Sequence, residues 1–303
     1  MSFLMIFIIV IAVTAAAFLG LGYGLCRYAT HIRRQSFDQA LAWQRDHYDI
    51  SFYDTLNKTD YKIISYDGYV IPVQFLKNPK PTDKYMLITH GHTDNHYGML
   101  KYAKMYLDFG FNVIIYDLRA HGENEETFCT FSIREAKDLD VIIKDCRDRY
   151  PDMKEFGIHG ESLGAATTIA VLKYKPEIDF AVSDCGFSEI IPVMKGGLRG
   201  MHLPVWMVYP ASLWSRILYG YSFKDMRPID SLKDNKIPIL FIHGADDKYI
   251  LPWHAEKMNE ATGGYSEVHL IPGAEHAASI LTDPEGYRKI VGAFLDKVEK
   301  KEL

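Results

Sequence analysis

Three short segments hold the residues best suited to covalent chemistry. The first is Gly160-Glu161-Ser162-Leu163-Gly164, a G-x-S-x-G pattern that follows the apolar run EFGIH and precedes the helix-like run LGAATTIAVLKY. A serine on a sharp strand-to-helix turn adopts strained dihedrals, which only small neighbours leave room for, and the following helix N-terminus favours nearby negative charge. A serine hydroxyl is a weak nucleophile near neutral pH, so it needs a base, and that base needs a carboxylate to fix its tautomer. Both follow in the chain: His243-Gly244-Ala245-Asp246-Asp247 ends one apolar run, and Pro272-Gly273-Ala274-Glu275-His276 ends the next. This combination is suited to acyl transfer from an ester or amide to water.

The elements that must position these residues alternate along the chain. YKIISYDGYVIPVQFL, with Asp67-Gly68 between two alternating runs, predicts a β-hairpin. Continuous apolar strands are predicted at 85–91, 112–117, 155–160, 179–184, 237–244 and 266–273, with helix-like stretches between them. The fold class is therefore α/β, with a doubly covered, mostly parallel sheet. Some fifty residues rich in Met, Trp, Tyr and Pro separate Asp184 from Ile237. So long a connection predicts a helical lid insertion at about 187–228, over the carboxyl ends of the strands. Trp206, Tyr209 and Trp214 are its candidate substrate-binding residues, with structural packing as the alternative.

Taken together, HGHTDN (90–95), YDLRAHGEN (116–124), GESLG (160–164), HGADDKYILP (243–252) and PGAEH (272–276) carry a resemblance. From about residue 60 onward the chain resembles the α/β-hydrolase family, close to single-span bacterial serine hydrolases related to serine aminopeptidases and esterases. The order Ser, Asp, His is the one found in that fold. The resemblance implies a catalytic triad of Ser162, Asp247 and His276, with the acid four residues after the histidine of the HG pair, which selects Asp247 over Asp246. It also implies an oxyanion hole from the backbone N–H groups of His92 and Leu163. Asp184, at the end of its strand, is the competing acid, because some relatives place theirs there. The aromatic and methionine content of the lid favours an apolar acyl chain, as in a carboxylesterase or a lipase-like enzyme. Serine aminopeptidase, thioesterase and acyltransferase chemistry use the same residues, and a non-catalytic acyl-ligand receptor is the reading from outside enzymology.

HGHTDNH also approaches an H-x-H-x-D-H metal motif, but Asn95 stands where the last histidine belongs and His96 is displaced by one. No metal site and no cofactor are expected. His159 and His243 read as buried, hydrogen-bonded histidines, and Asp117 and His121 as structural.

Composition narrows the partners. The 303 residues carry a net charge of −5, with no basic run outside the N-terminal flank, which excludes nucleic acid as an expected partner. The four cysteines show no C-x-x-C or zinc spacing and are read as unpaired. From Phe3 to Leu25 no side chain is charged, and such a run can cross about 30 Å of hydrocarbon. It predicts a transmembrane anchor over 1–28, with a cleaved signal peptide as the alternative. A helical connector at 29–58 and the hydrolase domain at 59–303 follow. Arg27, Arg33 and Arg34 flank the apolar run on one side only, so the positive-inside rule puts the catalytic domain in the cytoplasm. Every candidate catalytic residue lies beyond Tyr85, so the anchor is expected to be dispensable for activity on soluble esters.

Overall fold

The computed structural model describes residues 2–301; positions 1, 302 and 303, which close the expected anchor and hydrolase domain, lie outside them. The alternating run at 58–76 forms β1 (Lys58–Ile64) and β2 (Val70–Leu76), joined by a turn in which Gly68 takes φ 86°. That left-handed conformation is open to glycine at no steric cost, which is why Asp67-Gly68 marks the hairpin. The apolar runs become β3 (Lys84–Thr89), β4 (Asn112–Tyr116), β5 (Glu155–Glu161), β6 (Phe180–Asp184), β7 (Ile239–Gly244) and β8 (Ser266–Ile271). They form one eight-stranded sheet in the order β1-β2-β4-β3-β5-β6-β7-β8, antiparallel from β1 to β4 and parallel from there on.

The helices are α1 (Phe3–Thr30), α2 (Phe37–His47), α3 (Phe52–Thr55), α4 (Leu100–Asp108), α5 (Ile133–Arg149) and α6 (Leu163–Ala170). They continue with α7 (Ile190–Gly200), α8 (Val208–Tyr219), α9 (Trp253–Ala261), α10 (Ser279–Thr282) and α11 (Pro284–Glu299). Successive strand residues feed opposite layers, as the two-residue period of a strand requires. Leu87, Ile114, Ala181 and Phe241 pack on the α5 and α6 side; Met86, Ile88, Val113, Ile115, Val182 and Leu240 pack with α4 and α11. Because both layers are filled, β3 and β4 are almost wholly apolar, whereas the edge strands β1 and β8 carry polar residues and are partly exposed.

The connector at 29–58, expected to be helical, is broken. It leaves α1 at Thr30, runs extended to Ser36, and restarts at α2, where Ser36 and Gln39 form a capping box. The lid segment folds as α7 and α8 with short 3-10 turns around them.

Helix α1 is the one helix among the described residues long and apolar enough to cross a membrane. Its side chains are exposed from Phe3 to Leu21. Its carboxyl-terminal third packs on α8. Phe18 stacks on Trp206 with ring centroids 5.4 Å apart, Trp214 Nε1 donates to the Leu19 carbonyl at 2.8 Å, and Cys26 is buried. Gly22 meets Pro210 so closely that a Cβ there would lie 2.7 Å from the proline Cβ.

Candidate active site

Ser162 stands between β5 and α6 with φ 54° and ψ −113°, the strained turn expected of it. The flanking glycines are required by contact. A Cβ at Gly160 would fall 2.2 Å from the Gly164 carbonyl oxygen, and one at Gly164 would fall 2.1 Å from the Thr89 carbonyl oxygen. The turn is tied down by the Ser162 N–H, which donates to the Asp184 carbonyl at 2.8 Å.

The loop after β8 brings His276 to the serine, with Ser162 Oγ and His276 Nε2 2.9 Å apart. The loop after β7 brings Asp247 to the other ring nitrogen, His276 Nδ1 lying 2.7 Å from Asp247 Oδ2. A carboxylate accepts only, so Nδ1 carries the proton and Nε2 is left to accept from the serine hydroxyl. Asp247 Oδ1 accepts the N–H groups of Tyr249 and Ile250 at 2.8 and 2.9 Å. Although Asp247 is buried, hydrogen bonds from His243 and His276 and those backbone donors hold its carboxyl well below the usual range, so it is ionised. His243 Nε2 donates to the Ile250 carbonyl at 2.7 Å and lies 3.2 Å from Asp247 Oδ2, bracing the same loop.

Asp246 is exposed and its N–H donates to Ala274, a turn contact, and Glu275 is also exposed. Asp184 makes no bond to His276. It is fully buried, 3.0 Å from the Tyr102 hydroxyl, and accepts from Ser279 Oγ at 3.4 Å. Burial, and then the Glu161 charge, push its carboxyl up to about 6.

Gly91 lies against Ser162, since a Cβ there would sit 3.4 Å from the serine Cβ, so the His92 amide is beside the nucleophile turn. Among the described residues the His92 N–H has no protein acceptor. Leu163 opens α6, where N–H groups lack intrahelical acceptors. Two backbone donors thus flank the serine. His90, the first residue of the near-metal motif, uses both ring nitrogens within the fold: Nδ1 donates to the Gly91 carbonyl at 2.7 Å and Nε2 accepts the Leu118 N–H at 2.9 Å.

Beside the pair lies a cavity of about 600 Å³. His92 belongs to its wall, as does Tyr249, whose ring centroid is 5.1 Å from that of His276. The lid contributes Val193, Met194, Met207, Val208 and Ala211. Trp206, Tyr209 and Trp214, expected to bind substrate, do not line it. They stand on other faces of the same segment, Trp206 and Trp214 against α1 and Tyr209 half-exposed beside Lys195. The N-terminal segment adds Leu25, Tyr28, Ala29, His31, Ile32 and Arg33, the last of these a charged group on an otherwise mostly apolar wall. The expectation that the N-terminal segment is dispensable therefore overlooked a structural role, because its end closes this cavity.

A buried network that the motifs did not point to supports the turn from below. Lys101 Nζ pairs with Glu161 Oε2 at 2.6 Å, and the Tyr102 hydroxyl donates to the same oxygen at 2.6 Å. The charge at the second position of the G-x-S-x-G segment was its only signal in the sequence. Arg119, fully buried, pairs with Asp138 of α5 and Asp67 of the hairpin turn, which fixes the segment after β4.

An eight-stranded, mostly parallel sheet with a serine on a strained strand-to-helix turn, and a histidine and an acid on the loops after the last two strands, defines an α/β-hydrolase. A sequence model of the prolyl oligopeptidase family matches residues 101–301, and the chain belongs to that family of serine hydrolases. It is 29% identical over 297 residues to protein YqkD of Bacillus subtilis (strain 168), covering 96% of this chain and 97% of that one. It is 22% identical over 236 residues to membrane protein YNL320W of Saccharomyces cerevisiae, covering 77% and 78%. The esterase Pf2001 of Pyrococcus furiosus superposes with a TM-score of 0.65 at 26% identity, covering 80% of this chain and 93% of that chain. An acylaminoacyl peptidase of Pyrococcus horikoshii shares the fold with a TM-score of 0.62 at 16% identity, over 83% of this chain and 43% of that longer one.

Proposed function

We propose that this serine hydrolase is a carboxylesterase for apolar acyl substrates, with Ser162 as nucleophile, His276 as general base and acid, and Asp247 as the orienting carboxylate. The observation that carries the reading is the hydrogen-bonded line Ser162–His276–Asp247 beside an apolar cavity. Ser162 Oγ attacks the ester carbonyl as His276 Nε2 takes its proton. The N–H groups of His92 and Leu163 stabilise the oxyanion. The alcohol leaves with the proton from His276, and water, deprotonated by the same imidazole, releases the acid. No step uses a metal or cofactor.

The family's name favours a second reading, cleavage of a peptide amide, and the alternative to weigh from the sequence is an aminopeptidase. An aminopeptidase must pair the α-ammonium of its substrate, and none of the residues lining the cavity is acidic. That weighs for the ester. Turnover of acyl p-nitrophenyl esters of graded length against aminoacyl p-nitroanilides tests the choice: the esters should dominate, with a preference for longer chains, and faster anilide cleavage would overturn the reading.

The proposal extends to the layout of the chain. Residues 1–28 form a membrane anchor, 29–58 a connector, and 59–303 the hydrolase domain, with its lid at about 187–228. The catalytic domain faces the cytoplasm, in keeping with Arg27, Arg33 and Arg34 beside the apolar run.

A further inference from the structure

We infer that the substrate of this site is a long-chain acyl ester resident in the bilayer, and that its chain reaches the cavity along the seam between α1 and α8. The inference rests on the esterase and anchor readings above and goes beyond them in naming where the substrate comes from.

The first argument is one of depth. A hydrocarbon core of about 30 Å requires about 20 helical residues. The segment Phe3–Ala17 precedes Phe18, whose ring stacks on Trp206, and at about 1.5 Å per residue its 15 residues reach only about 22 Å. The remaining depth falls on Phe18 to Leu25, the stretch that carries Trp206, Pro210 and Trp214. A bilayer that covers the whole apolar run therefore meets the middle of the lid, where Trp206 precedes α8. The lid lies in the membrane interface, where tryptophan rings are at home.

The second argument is the outer face of α8. Tyr209, Leu213 and Ile217, four residues apart and so on one face, are 51%, 50% and 61% exposed. None of the three lines the cavity; Lys195 reaches the Tyr209 hydroxyl at 3.1 Å, and Leu213 and Ile217 stay half or more exposed. Its continuity with α1 assigns its occupant, the same lipid that surrounds the anchor.

The third argument is the position of the cavity directly behind that contact. Leu25 and Tyr28 from the end of α1, Ile32 just after it, and Met207, Val208 and Ala211 from the lid stand in its wall. An acyl chain leaving the leaflet beside α1 enters this wall without crossing water. Its ester bond then lies toward Ser162, the acyl–oxygen bond breaks, the head-group alcohol departs protonated, and water completes the free fatty acid.

The test uses the full chain in phosphatidylcholine nanodiscs, with p-nitrophenyl butyrate in water and either 1-oleoylglycerol or oleoyl-lysophosphatidylcholine in the disc. Wild type should cleave the butyrate and at least one oleoyl ester, the two oleoyl arms distinguishing a glycerol from a phosphocholine head. Ile217→Glu should lower oleoyl turnover at least tenfold while leaving butyrate turnover within about twofold. Leu213→Gln, a milder change on the same stripe, should act in the same direction. Equal losses on both substrates, or none on either, overturn the inference. So does a wild type that cleaves butyrate but neither oleoyl ester, which leaves the esterase reading standing. Failure on butyrate strikes the esterase reading itself, and release of wild type from membranes by alkaline carbonate strikes the anchor. A measurement without lid-stripe variants checks the depth: lipids brominated near the head group should quench wild-type fluorescence, and the combined Trp206→Phe and Trp214→Phe change should remove most of that quenching. Unquenched wild type overturns the placement of the lid.

Discussion

His276 takes one oxygen of Asp247, and the loop that carries Asp247 takes the other through the Tyr249 and Ile250 amides. An asparagine has one oxygen and would have to face either the loop or the imidazole with its NH₂ group. Asp247→Asn should therefore lower kcat by about 10⁴, the size of effect seen when a triad loses its orienting carboxylate. Steady-state ester hydrolysis checks this, and Asp184→Asn should leave kcat within about tenfold. If the two variants exchange these outcomes, the acid is Asp184.

Asp184→Asn should instead change how stability depends on pH. Its folded-state carboxyl is raised from an ordinary value of 3.8 to about 6 by burial and by the charge of Glu161. Between those values the folded protein holds a proton that the unfolded chain has released. Wild-type stability from this group is therefore fully present below about pH 4 and is lost as pH rises through 6. Thermal melts from pH 4 to 8 should show a shallower decline for the asparagine variant. An unchanged slope would remove Asp184 as its source.

Ser162→Ala should abolish both ester turnover and labelling by a fluorophosphonate probe, with a melting temperature close to that of wild type, because the hydroxyl touches only His276. Activity of the wild type should also survive EDTA. Loss of activity restored by zinc or manganese would mean that His92 and Asp94 serve a metal after all.

Removing residues 1–28 takes Leu25 and Tyr28 from the cavity wall and leaves the α8 face that holds Gly22 and Cys26 bare. The truncated protein should lose at least about tenfold in activity on long-chain esters and melt earlier. Removing only residues 3–15 should preserve activity on soluble esters while weakening membrane attachment. Equal activity of the two truncations would show that the anchor end does not shape the site.

With Arg27, Arg33 and Arg34 held inside, a C-terminal green fluorescent protein fusion should glow and a C-terminal alkaline phosphatase fusion should be inactive. The reverse pattern would place the domain outside without altering the site.

Local rules carried the reading of the sequence far in some places and failed in others. Gly160, Ser162 and Gly164 could be read because the turn's sterics are written in adjacent residues, and the inner apolar strand runs because a strand buried on both faces has no polar alternation to obscure it; the edge strand β8 is only partly buried. Asp246 and Asp247 could not be separated by the residues alone, since both fit the loop; His276 and two amides choose between them only in three dimensions. The face of the lid toward substrate was likewise hidden. Helix α8 is apolar on both its packed and its exposed sides, so its pattern does not say which residues face inward. The Lys101–Glu161 pair spans sixty positions and leaves no periodic trace.

The contact between Gly22 and Pro210 also sets an order of events during synthesis. Gly22 is made early and its partner some 190 residues later, an interval of about 10–40 s at about 5–20 residues per second. Throughout that interval the face of α1 that will carry the lid lacks its partner from this chain, and on the anchor reading lipid would cover it. If α1 is the anchor proposed above, this side of the cavity closes only when the nascent lid displaces that cover, and the enzyme would then mature at the membrane and not before reaching it.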